Sequence, residues 1–227
     1  MSARTRRAQR IGILGGTFNP IHIGHLRSAE EIRERHRLDQ VLFIPSATPP
    51  HKRGNGLAAA AHRLAMVKLA IAGNPAFRPS TIEIRRRGRS YSVDTLRLLR
   101  ARMPDAEFAF IMGIDAFREI STWKDYATIF GLCNVIVTSR PPIEKTALRA
   151  ALPVAVRRQF WYRSPTFELV HHTGNRIIFE RITALDISAS SIRRRLSRSA
   201  SIRYLVPPAV ERYIARHGLY AGRAAAR

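Results

Sequence analysis

The chain has 227 residues, 45% apolar and 24% charged, with a single cysteine, Cys133. That composition supports a buried core and excludes wholesale disorder, a disulfide framework and a cysteine-rich zinc site. The formal charge is +23, and lysine occurs only at Lys52, Lys68, Lys124 and Lys145, so arginine carries nearly all of the surplus. The arginines are scattered and not interleaved with aromatics as in an RNA-binding signature. A small polyphosphate is therefore a more economical anionic partner than nucleic acid.

In chain order, residues 1–10 read as a basic tail. Ile11 to Leu14 is a short buried strand running into Gly15-Gly16, too short for a signal-peptide core. No run of 18 apolar residues follows anywhere, so a soluble, cytoplasmic protein that makes no use of a membrane is expected. Helical spacing starts near Gly24, with Leu26, Ala29 and Ile32 on one face. Val41 to Ile44 is a second strand, and the Pro49-Pro50 and Gly54 to Gly56 stretch after it is a loop. Leu57 to Ala72 reads as a helix, Thr81 to Ile84 as a strand, and Ser92 to Met103 as a helix with Val93, Leu96 and Leu99 on its inner face.

Glu107 to Met112 is a strand ending at Gly113, followed by short helical pieces around Ala116 and Tyr126. Leu132 to Thr138 is a strand, residues 143–165 give one short helix and a loop, and Arg176 to Ile182 is the last strand. Ser188 to Leu196 and Pro207 to His217 close the chain as helices. Alternating strands and helices predict an α/β fold: a Rossmann-like, doubly wound parallel sheet with helices on both faces and a small C-terminal helical part. One domain is expected over residues 11–220, with a second tail at 221–227. A homo-oligomer remains open.

The densest chemistry lies in the first turn, Gly15-Gly16-Thr17-Phe18-Asn19-Pro20-Ile21-His22-Ile23-Gly24-His25. Two glycines at a strand end let backbone amides approach an anion. His22 and His25 are three residues apart, on one face at a helix mouth, and Gly24 between them leaves room for a substrate against the helix N-terminus. Imidazole N–H groups and a helix N-terminus aimed at one place suit developing phosphate charge. Zinc is a poorer fit, since no cysteine or carboxylate ligand is near. Near the other end, Ser188 or Ser190 can cap a helix whose Arg193 can reach a phosphate held there. From those residues alone, without the first motif, a plain capped helix with an exposed arginine face is the better reading.

The run from Gly15 to His25 resembles the GGTF-(D/N)-P-x-H-x-GH signature of nucleotidyltransferase-superfamily adenylyltransferases. Residues 187–193, ISASSIR, are similar to the family's ISSTxIR, departing at Ala189 and Ser190. Thr48-Pro49-Pro50-His51-Lys52, Ser90-Tyr91-Ser92-Val93-Asp94-Thr95-Leu96, and Gly113-Ile114-Asp115 with Trp123 resemble three further segments of bacterial-type nicotinate-nucleotide adenylyltransferases. The resemblance implies that nicotinate mononucleotide attacks the α-phosphorus of ATP, pyrophosphate leaves, and magnesium rides on the substrate phosphates.

It implies His22, His25 and Arg193 as catalytic residues. Gly15, Gly16, Thr17, Phe18, Gly24, Ser188 and Ser190 would lie around the ATP phosphates. Lys52, Ser92, Asp115, Trp123 and Lys124 would hold the mononucleotide: Trp123 stacked on the pyridine, the Ser92 and Lys124 amides on its carboxylate, Lys52 on its phosphate, and Asp115 on a ribose hydroxyl or water. Three of these have a plainer reading: Trp123 as a core aromatic, Lys52 as a loop cation and Asp115 as a helix N-cap. Phosphopantetheine adenylyltransferase, nicotinamide mononucleotide adenylyltransferase and a basic nucleic-acid-binding protein are the alternatives. No protein metal ligands are expected.

Overall fold

The computed structural model describes residues 7–48, 56–86, 88–139, 152–163 and 168–222. Its strands are β1 (Arg10–Gly16), β2 (Gln40–Pro45), β3 (Phe77–Pro79), β4 (Glu107–Gly113), β5 (Asn134–Ser139), β6 (Phe160–Arg163), β7 (Glu168–His171) and β8 (Arg176–Arg181). They form one sheet in the order β3-β2-β1-β4-β5-β8-β7-β6. The first six in that order run parallel, and β7 and β6 extend the sheet antiparallel from β8. The main helices are α1 (Ile23–Arg35), α2 (Ala60–Ile71), α3 (Ile82–Arg85), α4 (Ser92–Arg102), α5 (Ile114–Arg118), α6 (Tyr126–Leu132), α7 (Ala189–Leu196) and α8 (Pro208–Arg216).

The central strands are apolar at nearly every position because both sheet faces are covered. Successive side chains point to opposite sides. Ile11, Ile13, Phe108, Phe110, Val135 and Val137 therefore meet α4 and α6 residues such as Leu96 and Phe130 on one face. Val41, Phe43, Ile111 and Ile136 meet Ile32, Val67 and Ile214 on the other. Among the described residues, no helix is long and apolar enough to cross a membrane.

Several expectations need correction. Thr81 to Ile84 is not a strand: α3 begins at Ile82, and the sheet edge is Phe77–Pro79, paired with Val41 to Phe43. The alternating apolar residues suggested a period of two, but Ile82 and Glu83 are both buried within one helical turn. The fifth strand starts at Asn134, because Leu132 ends α6 and Cys133 is its C-cap. The region 143–165 was expected to hold one helix and a loop. Its described part has a 3-10 helix at Val154–Gln159 and then β6, and β7 follows it. Residues 140–151 and 164–167 lie outside the described residues.

The segment leaving β8 is tied back to α1. Glu31, 4% exposed, pairs with Arg27 and Arg35 and accepts the Thr183 N–H at 3.1 Å. Burial pushes its carboxyl up, but the Thr183 and Arg27 hydrogen bonds outweigh that, and its pKa is lowered overall. Glu180 is lowered chiefly by its hydrogen bond with His36. A lowered folded-state pKa contributes stability above the ordinary carboxylate value, and that stability is lost as pH falls through the folded value. Thermal midpoints should therefore fall as the pH drops below about 4.5, and Glu31→Gln should flatten that acid limb. An unchanged limb in the variant would show that Glu31 does not contribute.

Candidate active site

The sheet order reverses direction between β1 and β4, the place where open α/β sheets bind ligands beyond their strand carboxyl ends. A cleft of about 770 Å³ opens there, lined by Leu14 of β1, Met112 and Gly113 of β4, Thr138 and Ser139 of β5, and the Ile182 to Ala189 side. His22, Gly24 and His25 line it from the mouth of α1, and Asp115 from α5.

His22 is the N-cap of α1 and is 6% exposed. Its ring stacks on His25 with centroids 3.7 Å apart. The His22 backbone N–H donates to Nδ1 of His25 at 3.2 Å. That bond makes Nδ1 an acceptor, so neutral His25 carries its proton on Nε2 and retains an N–H donor. Gly24 serves the pair in a way its sequence context did not reveal. A Cβ there would stand 3.1 Å from Nδ1 of His22, so the glycine makes space for an imidazole as well as lining the cleft. Gly15 and Gly16 belong to β1, and a Cβ on Gly16 would press on the Phe18 ring at 3.2 Å. Phe18 turns the chain with φ 48° and buries its ring edge-on to His25.

The two signature segments meet. Arg193 Nη1 donates to the Asn19 carbonyl at 2.7 Å. Ser188, not Ser190, is the N-cap of α7, its Oγ accepting the Ser191 N–H at 3.1 Å, and Ser188 and Ala189 line the cleft. Ser190 sits beside Ser188, the two hydroxyls 3.1 Å apart.

The residues expected to hold the mononucleotide form a second group. Lys124 Nζ reaches Asp94 at 3.1 Å and lies 5.0 Å over the Tyr91 ring, which brings Trp123-Lys124 beside the start of α4 at Ser92. Trp123 is partly buried and edge-on to Phe110. It is packed against the core and only partly buried. Ser92, Trp123 and Lys124 do not line the cleft that holds the histidines, whereas Asp115 does. Asp115 is not an N-cap: Gly113 caps α5, and the Asp115 side chain is 94% exposed. Lys52 lies outside the described residues. Cys133 is buried, which pushes its thiol up to about 12, out of thiolate chemistry.

Sequence reasoning missed the support for the first turn. Asn19 Nδ2 donates to the Gly56 carbonyl, and Oδ1 accepts the Ala58 N–H and the Tyr220 hydroxyl. Burial pushes the Tyr220 phenol up, which keeps it a donor. Thr138 and Ser139 were also missed, though their place at the end of a central strand was a usable signal.

A family model described as cytidylyltransferase-like matches residues 13–195. A "Probable nicotinate-nucleotide adenylyltransferase" of Geobacter sp. (strain M21) is 53% identical over 93% of this chain and 98% of its own length. A relative of the same name from Syntrophotalea carbinolica is 51% identical over 93% and 97%. The chain belongs to the cytidylyltransferase-like family, in its nicotinate-nucleotide adenylyltransferase branch. The fold is likewise that of the nicotinic acid mononucleotide adenylyltransferase of Plasmodium falciparum complexed with NaAD, with a TM-score of 0.72, 19% identity and coverage of 93% of this chain and 97% of that one.

Asn19→Ala removes the acceptor and the donor that fix this turn. Leaving buried partners unpaired should lower stability by about 1–3 kcal/mol, read as a denaturant midpoint shift at constant slope. An unshifted midpoint would remove Asn19 from the turn's support.

Proposed function

We propose that this chain joins nicotinate mononucleotide to ATP, forming nicotinate adenine dinucleotide and pyrophosphate, a step of NAD biosynthesis. The observation that carries this reading is the stacked His22–His25 pair at the mouth of α1, on the wall of the cleft at the sheet's reversal point. A phosphate oxygen of the mononucleotide attacks the α-phosphorus. A new P–O bond forms as the bond to the β-phosphate breaks, and pyrophosphate leaves with the electron pair. The nucleophile is already an anion, so no general base is required. The chain's task is to align two anions and stabilise the added charge.

Nε2–H of His25 and the His22 ring donate to α-phosphate oxygens in this reading. The amides from Gly16 to Phe18 and the N-terminus of α7 at Ser188 to Ser190 face the remaining phosphate charge, and Arg193 holds the two segments together. Ser92 and Lys124 offer amides to the nicotinate carboxylate, with Trp123 against the pyridine. Among the described residues, Asp115 is the one carboxylate on the cleft wall. A single carboxylate fits a hydrated magnesium carried by the triphosphate better than a protein cage. When bound, that ion neutralises phosphate charge.

His25→Ala should lower kcat by roughly 10²–10³-fold, the effect of removing one transition-state donor. Near-normal turnover would take the imidazole out of the mechanism. With ATP fixed, the acid mononucleotide should exceed the amide in kcat/KM by roughly tenfold or more, because amide donors repel a carboxamide N–H₂ that they cannot pair. Preference for the amide, or no dinucleotide at all, would overturn the proposed substrate.

A further inference from the structure

Arg63 of α2 is 1% exposed and is among the largest side chains fully inside the protein. Among the described residues it has no carboxylate partner. Its guanidinium instead donates to four carbonyls from three stretches of chain. Nε donates to Ala58 at 2.9 Å, Nη1 to Thr17 at 2.8 Å and Ser46 at 2.6 Å, and Nη2 to Ala47 at 3.0 Å. A cation taken out of water without an anion is costly, and converging carbonyl dipoles are what offset it here. A neutral amide could tie two of these loops together at less cost, so the buried charge calls for a further reason.

The Thr17 carbonyl belongs to the same peptide unit as the Phe18 N–H. A charged donor on that oxygen draws density along the amide and makes the N–H a stronger donor. Among the described residues the Phe18 N–H donates to no protein acceptor, and it is one of the amides that face phosphate in the reading above. Arg193 offers a contrast. It donates to the Asn19 carbonyl, whose peptide partner is the Pro20 nitrogen with no hydrogen to strengthen. That bond positions without activating.

We propose that Arg63 is a positioning residue for adenylyl transfer: it fixes the Thr17–Phe18 peptide against the end of β2 and polarises it, so that the Phe18 N–H meets the triphosphate. The inference rests on the function proposed above. Burial works against the charge, lowering the guanidinium's pKa, yet arginine starts high enough to stay protonated. Lysine at this place would not.

The test uses Arg63→Met and Arg63→Lys, with kcat at saturating substrates normalised to the folded fraction from circular dichroism. The Met variant should lose about tenfold in kcat, less than the loss expected for a group that touches phosphate itself. The Lys variant should keep most activity at low pH and decline toward the Met variant as pH rises and the buried ammonium loses its proton, while the wild type shows no such limb. In ¹⁵N-labelled protein the Phe18 amide proton should move upfield in the Met variant. A folded Met variant within twofold of wild type, or a Lys variant whose pH profile parallels it, would overturn the proposal, and the Lys profile decides the matter if the Met variant does not fold. A wild type that makes no dinucleotide would instead overturn the function, and this inference with it.

Discussion

The turn between β1 and α1 has to satisfy two opposed demands. It must leave the middle of a buried sheet, where every polar group needs a partner, and carry His22 and His25 to the wall of the cleft. Phe18 meets the first demand by dropping its ring over Gly16 and against His25 and Phe43. Asn19 meets the second with the help of groups far away in sequence: its side chain answers Gly56, Ala58 and Tyr220, and its carbonyl answers Arg193. The catalytic-looking segment is local, but what holds it in place is not.

The electrostatics follow the same division. Carboxylates are mostly placed away from the cleft, pairing with arginines at the back of α1 and at the N-terminal end of the sheet, as Glu31 and Glu107 do. Among the described residues, the cleft wall carries two imidazoles, the mouths of α1, α5 and α7, and the exposed Asp115 and Arg118. Arg118 stands on the same wall 3.8 Å from Asp115, so imidazoles, helix mouths and one exposed guanidinium together suit a phosphate, and in the role proposed for it the charge on Arg63 acts through a peptide bond. Cys133, buried behind the central strands, takes no part.

Most of the fold was legible because buried parallel strands are continuous apolar runs and their helices show a clear 3.6-residue period. β1, β2, β4, β5 and β8 were found within one or two residues. The failures share a cause. Ile82 and Ile84 are separated by one polar residue, which suits a strand or a single helical turn equally well. β6 exposes three of its four residues and β7 buries all four, so neither shows alternation. In the site, the histidine pair and the α7 cap stood in the sequence as contiguous motifs. Tyr220 and Arg63 gave no signal, because an arginine in a helix and a tyrosine near a chain end are ordinary until the fold brings them to the same turn. The closeness of Gly24 to the His22 ring could not be read from the sequence.

The most direct measurement is a crystal structure with a non-hydrolysable ATP analogue. The account predicts that the α-phosphate lies within hydrogen-bond reach of His22 and His25, with the other phosphates toward the N-terminus of α7. A triphosphate seated elsewhere on the protein, away from both imidazoles, would contradict it.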